Sequence, residues 1–203
     1  MLHSPFRLIV CLMLFLAIFH GATILAASTI NRMVQLNFQQ RSIVSTLEKA
    51  TAMQRLGLAA WLDEDVPETH RLMANLESDL QLQLGHLERL ARVRPQSSQV
   101  WADIFLARTS LGIIDDQTVD ALSRANALGP WEPRVQETIV IAGTGVWISL
   151  DSSMRAQVIG SAKRSLVSQA RWRRAEVVKI LRGRGFMALV CSGLSVDVPE
   201  CAR

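Results

Sequence analysis

The strongest hydrophobic pattern in the chain is an uninterrupted apolar run over residues 8–27, whose only ionisable side chains are a cysteine and a histidine. A helix of about twenty residues spans roughly 30 Å, the thickness of a membrane hydrocarbon core. The apolar region of a signal peptide is shorter, about 7–15 residues. The run therefore predicts a signal anchor, with one transmembrane helix, over residues 1–29. Cleavage after Leu25-Ala26-Ala27 is the alternative.

Beyond the anchor, apolar positions recur three and four residues apart, the spacing of amphipathic helices. The first set is Ile43, Leu47, Ala50 and Met53. The second is one leucine stripe at Leu72, Leu76, Leu80, Leu84, Leu87 and Leu90. Pro67 suits a helix start, where proline is tolerated, and Pro95 ends the stripe. We predict an N-terminal helical region over residues 30–94.

The stretch from Pro95 to Pro130 has the pattern of one tetratricopeptide repeat, a helical hairpin of about 34 residues. The two prolines lie 35 positions apart. Large and small apolar residues follow the order of the repeat: Trp101, Ile104, Phe105, Leu111, Gly112, Leu122, Ala125 and Leu128. We expect Gly112 in the turn and Ala125 where two helices approach closely. Residues 95–134 are therefore predicted to form a tetratricopeptide-like repeat.

The last part of the chain, residues 135–203, predicts further helices and a tail. Met154, Val158, Ala162 and Leu166 recur at strict spacings of four, and Asp151 and Ser152 both suit the N-cap of their helix. Leucine and alanine are abundant helix formers here, whereas aromatic residues make up 5% of the chain. The predicted class is all-α, with an N-terminal transmembrane helix followed by tetratricopeptide-like antiparallel helical hairpins.

Charge is distributed unevenly along the chain. Residues 28–150 carry eleven Lys and Arg against fourteen Asp and Glu, whereas residues 151–203 carry ten against four. The excess forms a predicted basic patch: Arg171, Arg173, Arg174, Lys179, Arg182 and Arg184. Anionic lipid head groups, an acidic polysaccharide or an acidic partner would suit it, and a merely solvated helix is the alternative. An exported domain has no nucleic acid to bind.

The sequence predicts no catalytic, cofactor-binding or metal-binding residues, and therefore no enzyme. The four histidines lack metal-ligand spacing. Gly143-Thr144-Gly145 lacks the remainder of a phosphate loop, so close helix packing explains it better. Asp115 and Asp116 fall in a predicted turn, where solvated acids are ordinary. Four of the five tryptophans fall at helix-packing or corner positions, which favours a core role over sugar stacking.

Cys191 and Cys201 lie in the C-terminal tail, ten residues apart. In an oxidising compartment they would close a small loop and contribute about 2–3 kcal/mol in the chain-entropy model. We predict this disulfide, with two free thiols as the alternative.

A sequence motif occupies residues 125–136, with Gly129, Pro130, Trp131, Glu132, Pro133 and Arg134 at its centre. Together with Gly145-Val146-Trp147, Gly185 and Cys191, it resembles the VpsP family of polysaccharide biosynthesis proteins. The similarity covers residues 95–195. It implies an envelope protein with tetratricopeptide-like helices that assists exopolysaccharide production, without catalytic residues. The motif also has a local explanation: Gly129-Pro130 ends a helix, Trp131 covers the hairpin end and Pro133 restarts the chain.

These observations lead to one functional hypothesis. A short leading tail and a long following domain favour a single-pass protein of the bacterial inner membrane, with its soluble domain in the periplasm. It would be a scaffold or adaptor whose partners are the membrane and proteins of a polysaccharide synthesis or export machine. The alternatives are a carbohydrate-binding or polymer-modifying envelope protein, and a helper of pilus or protein secretion.

Overall fold

The computed structural model describes residues 4–39, 46–63, 66–192, 194 and 198–201, and every regular element in these ranges is helical. The helices are α1 (Ser4–Gln39), α2 (Thr46–Leu62), α3 (Pro67–Leu76), α4 (Leu80–Val93), α5 (Ser98–Ser110), α6 (Asp116–Leu128), α7 (Pro133–Gly145), α8 (Ser152–Ser168), α9 (Arg171–Gly183) and α10 (Met187–Cys191). Two 3₁₀ turns span Trp147–Ser149 and Pro199–Cys201. The predicted all-α class is confirmed for the described residues. The chain divides into two compact units, Met1–Ser78 and Asp79–Arg203.

Helix α1 contains a segment, Leu12–Gln35, that is long and apolar enough to cross a membrane. Its large apolar side chains between residues 12 and 19 are 52–70% exposed. The hydroxyls of Thr23, Ser28 and Thr29 donate to carbonyl oxygens three or four residues earlier in the helix, and the bond from Thr29 to Leu25 is 2.7 Å long. As expected, the helix continues past the apolar run, to Gln39.

The later part of α1 packs against α2 and α3 within the first unit. The buried cluster there consists of Val34, Ala52, Leu56 and Met73. Beside it, the amide nitrogen of Asn31 donates to the hydroxyl of Thr69 at 2.8 Å, which links α1 to α3. This unit has a small core, to which α1 contributes one face.

The predicted face of α2 is wrong at Ala50, whereas Met53 packs against the buried cluster as predicted, and the side chain of Leu47 lies outside the described residues. Ala50 is exposed and Met53 only half-buried, whereas Ala52, Leu56 and Ala59 are buried. These three residues also follow spacings of four and three, so the sequence contains two possible stripes, and packing against α1 selects the second. Ile43 of the predicted set lies outside the described residues.

The single leucine stripe between Pro67 and Pro95 is also corrected, because two helices share it. Helix α3 ends at Leu76 and α4 begins at Leu80. The Asp79 carboxylate accepts hydrogen bonds from the backbone nitrogens of Gln81 at 2.8 Å and Leu82 at 3.2 Å. An aspartate N-cap of this kind satisfies donors that a new helix leaves free, so it starts α4 inside the apolar pattern.

In the second unit, α5 and α6 pack across a short connection at residues 111–115. Gly112 has φ +73° in that connection, which confirms its predicted place in the turn. Phe105, Leu122 and Ala125 are fully buried between these helices and their neighbours. Trp101 is only partly buried, and Leu128 remains 37% exposed.

Helices α7 and α8 form the next packed pair. Met154, Val158, Ala162 and Leu166 are all buried, as their spacing predicts. The Asp151 carboxylate accepts from the backbone nitrogen of Met154 at 2.8 Å, which confirms the predicted N-cap. A Cβ atom at Gly143 would overlap the Val158 side chain, so close helix packing accounts for this glycine. Helix α9 then packs on both α7 and α8.

Candidate functional site

A groove with a volume of about 470 Å³ lies along α4, α5 and α6. Its lining residues are Glu88, Ala91, Arg92, Pro95, Trp101, Ile104, Arg108, Gln117, Asp120 and Arg124. Clefts of roughly 300–1,000 Å³ can hold a small molecule or a few residues of a peptide. The mixture of apolar and charged side chains makes this groove the candidate binding site of the second unit.

The groove is held together by Arg108, whose side chain is 7% exposed. Its guanidinium donates to the Glu88 carboxylate on α4 at 3.1 Å and to Asp115 before α6 at 2.6 Å. A third hydrogen bond, of 3.1 Å, reaches the hydroxyl of Thr118 on α6. A buried guanidinium needs such partners because an unpaired charge in the interior is strongly unfavourable. Arg108 therefore ties together the three helices that form the groove.

Asp115 caps α6 at the same place. Its carboxylate accepts from the backbone nitrogen of Thr118 at 3.0 Å. This backbone hydrogen bond, with smaller contributions from the Thr118 hydroxyl and Arg108, holds the pKa of Asp115 below its usual value. The expectation of a merely solvated turn is therefore wrong for Asp115, which is an N-cap and an ion-pair partner.

The wall of the groove combines an indole ring with an ion pair. The Trp101 ring nitrogen donates to the Pro95 carbonyl oxygen at 2.8 Å, which fixes the ring. The Arg124 guanidinium carbon lies 4.7 Å from the centre of that ring, and its Nε donates to Asp120 at 2.8 Å. About half of the Arg124 and Asp120 side chains remains exposed. The wall therefore offers an aromatic edge, a cation and a carboxylate to a bound molecule.

The chemistry of the groove is suited to binding. Its two carboxylates, Glu88 and Asp120, each pair with an arginine. Within the described ranges, no group of three or more His, Cys, Asp or Glu side chains could hold a metal ion.

The corner between α6 and α7 contains the central residues of the 125–136 motif. A Cβ atom at Gly129 would lie 2.6 Å from the Cβ of Ser98, so a larger residue would displace α5. The Ser98 hydroxyl donates to the Glu132 carboxylate at 2.9 Å. Pro133 opens α7, where its missing N–H has no consequence.

Gln136 connects this corner to the end of α8. Its buried amide nitrogen donates to the Pro130 carbonyl oxygen. Its amide oxygen accepts from the Ser165 hydroxyl at 3.1 Å and from the Gln169 amide at 3.4 Å. The local interpretation of the motif as a structural corner agrees with these contacts, except that Trp131 is 63% exposed and does not cover the hairpin end.

Comparison with known proteins gives no family for this chain. No protein-family model matches it, and no curated protein matches it. The similarity of residues 125–136 to the VpsP family therefore stays a prediction.

The structure places the predicted basic residues in different roles. Arg174 pairs with the Glu200 carboxylate at 3.5 Å, and Arg182 donates to the Glu200 carbonyl oxygen at 3.1 Å. Arg184 donates to the Ile141 carbonyl oxygen and to the Thr144 hydroxyl, both at 2.6 Å. These three arginines therefore make intramolecular contacts, and Arg182 and Arg184 are exposed as well.

Of the remaining patch residues, Lys179 is exposed, and the Arg173 guanidinium lies 4.7 Å from the centre of the Trp172 ring. The side chain of Arg171 lies outside the described residues. The exposed residues of the patch are therefore Lys179, Arg182 and Arg184, whereas Arg173 and Arg174 are half-buried.

Several contacts attach the C-terminal tail to the other helices of the second unit. Cys191 and Cys201 have their Cα atoms 5.7 Å apart, within the range of disulfides, and their sulfur atoms are at bonding distance. Val198 is buried in a cluster with Val140, Leu181 and Val190. The predicted cysteine pair is therefore in a position to form a disulfide.

The interpretation of the tryptophans as core residues is wrong for Trp61 and Trp131, which are 80% and 63% exposed. Trp172, in the basic patch, is 68% exposed. Trp101 and Trp147 are partly buried. Indole rings therefore belong to the accessible surface of this protein.

Sequence reasoning missed Arg108 and the groove that it organises. A signal was present, since Arg108 lies four positions after Ile104 on the apolar face of α5. A cation on such a face requires acidic partners from neighbouring helices. Which acids supply them follows only from the packing of α4 and α6.

Proposed function

We propose that the protein is a membrane-anchored helical scaffold that assists exopolysaccharide biosynthesis or export. In this proposal α1 lies in a bacterial inner membrane and the following helices lie in the periplasm. The anchor is supported by the large apolar side chains of residues 12–19, which are exposed in the structure and would be stabilised by lipid.

A tetratricopeptide-like arrangement is supported by the order in which helices pack. Helix α5 packs on α6 and on α7, and α7 packs on α8 and on α9. In helical-repeat proteins the first helix of each hairpin contacts its own partner and the next hairpin. The N-caps Asp115 and Asp151 lie 36 positions apart, close to the length of one repeat. We infer a second hairpin formed by α7 and α8.

The observation that carries the scaffold role is the groove on α4, α5 and α6. Repeat proteins of this kind commonly bind extended segments of other proteins along such surfaces. Trp101 and Arg124 give the groove an aromatic and charged wall, which would recognise a segment with apolar and acidic side chains. The link to polysaccharide rests on the similarity of residues 125–136 to the VpsP family.

The test is genetic and uses a groove variant beside a full deletion. Deleting the gene is expected to reduce secreted polysaccharide. A chain with Trp101→Ala and Arg124→Glu should accumulate normally in the membrane and reproduce that loss. Arg89→Glu is the matched control, because Arg89 is an exposed arginine of α4 outside the groove lining.

The outcomes separate the two parts of the proposal. Unchanged polysaccharide output in the deletion strain would contradict the polysaccharide role. Reduced output in the deletion strain, with normal output from the groove variant, would support the role and exclude the groove as its site.

Carbohydrate binding is a second candidate, favoured by the exposure of Trp61, Trp131 and Trp172. Exposed indole rings can stack on sugar rings. Titration of the purified protein with oligosaccharides, followed by tryptophan fluorescence, tests this candidate. A saturable change would favour it over the scaffold, and no change at millimolar sugar would exclude it.

A further inference from the structure

One end of the second unit presents large apolar side chains to the surroundings. Leu128 and Trp131, at the α6–α7 corner, are 37% and 63% exposed. Val167 and Trp172, at the α8–α9 corner, are 46% and 68% exposed. We name these four side chains the apolar end. Large apolar groups clustered on a surface usually mark an interaction site.

Hydrogen bonds hold the two corners beside each other. The Gln169 amide nitrogen, between α8 and α9, donates to the Pro133 carbonyl oxygen at 3.4 Å. Gln136 accepts from the same amide and itself donates to the Pro130 carbonyl oxygen. The four apolar side chains therefore flank one network of buried amides and lie at the same end of the unit.

Cations border the apolar end. Arg134 is exposed one residue into α7. The Arg173 guanidinium lies 4.7 Å from the centre of the Trp172 ring, which holds the cation beside the indole. Residues 151–203, which include the α8–α9 corner but not the α6–α7 corner, carry ten Lys and Arg against four Asp and Glu, so the α8–α9 corner belongs to a part of the chain that is attracted to negative surfaces.

Aliphatic side chains, indole rings and arginines together are the chemistry of a membrane interface. Tryptophan is enriched at the level of the lipid head groups, and arginine is attracted to their phosphates. We propose that the apolar end docks on the surface of an anionic bilayer, the membrane in which α1 anchors the chain.

This inference rests on the proposed function only for the membrane anchor. The α1 anchor matters because it keeps the second unit within reach of the bilayer, so that even a weak surface contact is populated. Each arginine near an anionic surface contributes about a fivefold factor to the docking equilibrium. Arg134→Gln combined with Arg173→Gln should therefore reduce docking about twenty-five-fold.

The experiment uses the full chain reconstituted into vesicles that contain lipids brominated near the head group. Three chains each keep one tryptophan, with phenylalanine at the other tryptophan positions. The first keeps Trp131 and the second keeps Trp172. The third carries only Ile148→Trp, because Ile148 is 91% exposed and lies in the 3₁₀ turn between α7 and α8, away from both corners. Circular dichroism checks the helical content of each chain.

We expect quenching of Trp131 and Trp172 in phosphatidylglycerol vesicles, little quenching in phosphatidylcholine vesicles, and little at Ile148→Trp in either. In an otherwise native chain, Arg134→Gln with Arg173→Gln should remove most of the difference between the two lipids. The chain with both arginine substitutions keeps all five tryptophans, so it tests the proposal even if a single-tryptophan chain folds poorly.

Absence of quenching at both corners in anionic vesicles would overturn the proposal. A fluorescence change on adding an acidic polysaccharide, without quenching by lipid, would also overturn it and assign the apolar end to the polymer. Extraction of the vesicles at alkaline pH separates this failure from failure of the anchor. A chain that stays in the vesicles but shows no quenching retains its anchor and loses only the surface contact.

Discussion

Residues 12–19 of α1 and the core of the second unit are both rich in large apolar residues, but these side chains are exposed in α1 and buried in the core. Between residues 12 and 19 these side chains are 52–70% exposed, whereas Ile139, Val140 and Val158 are fully buried. The apolar positions of α8 form one stripe, whereas those of α1 surround the helix. A stripe can be covered by neighbouring helices, while a helix that is apolar on all sides needs lipid around it.

The largest expected effect comes from placing a charge in α1. Leu16→Arg puts a guanidinium near the middle of the apolar run, where insertion becomes less favourable by about 3 kcal/mol, or roughly a hundredfold. We expect the variant to leave the membrane fraction, which flotation of cell lysates would measure. Ile148→Arg, at a site that is 91% exposed in the second unit, should remain with the membrane. Equal retention of both variants in the membrane fraction would contradict the claim that α1, unlike the second unit, needs lipid around it.

The sequence predicted those features that depend on local rules. The apolar run, the turn at Gly112, the N-cap Asp151 and the stripe that contains Val158 follow from composition, backbone freedom and spacing. Each of these needs only residues that are near in the sequence.

Of the features that sequence reasoning missed, one is a local cap and the other depends on distant partners. Leu76 and Leu80 continue one stripe, and only the Asp79 cap divides them into two helices. The Arg108 network joins Glu88 and Asp115, which lie twenty positions before it and seven after it. Packing between helices decides such pairings, and spacing along one helix does not reveal them.

The disulfide in the tail gives the next largest effect. Replacing Cys191 and Cys201 by serine should lower the free energy of unfolding of the second unit by about 2–3 kcal/mol, because the open tail gains conformational entropy when unfolded. Urea unfolding of the purified full chain in detergent measures this change. Cys11→Ser is the control and should have no effect.

The same cysteines report the compartment. In protein isolated from its native envelope, both thiols should resist alkylation until a reductant is added. Alkylation of both without reductant would show that the pair is open and would argue against a periplasmic second unit.

Alanine substitutions at two glycines compare a closely packed helix surface with an open one. Gly143→Ala forces a methyl group into the Val158 side chain and should cost about 2 kcal/mol. Gly85→Ala, in the interior of α4, meets nothing within 4 Å and should stabilise the chain by about 0.5–1 kcal/mol through its helix propensity. Thermal unfolding of the two variants is expected to shift in opposite directions. A shift of the same sign would contradict the close packing of α7 on α8.

The smallest effect concerns Asp103 on α5. Burial raises the pKa of this carboxyl above its ordinary value of 3.8, although a hydrogen bond from Gln99 and the charge of Arg134 oppose the shift. The folded state therefore binds the proton more tightly, and its stability falls as the pH rises from 3.8 through the raised pKa. Asp103→Asn should be more stable than the parent at pH 7, and the gap should close below about pH 3.8. A gap that is independent of pH in urea unfolding would contradict the assignment.

The central claim, that the second unit is a scaffold in a polysaccharide machine, is tested most directly by crosslinking in living cells. A photoreactive amino acid at Gln117, an exposed position in the groove lining, should capture a partner in the envelope, while the same group at Ile148 serves as the control. The account predicts that a protein of polysaccharide synthesis or export is captured from position 117 and not from position 148. Capture of unrelated proteins, or the same products from both positions, would contradict it.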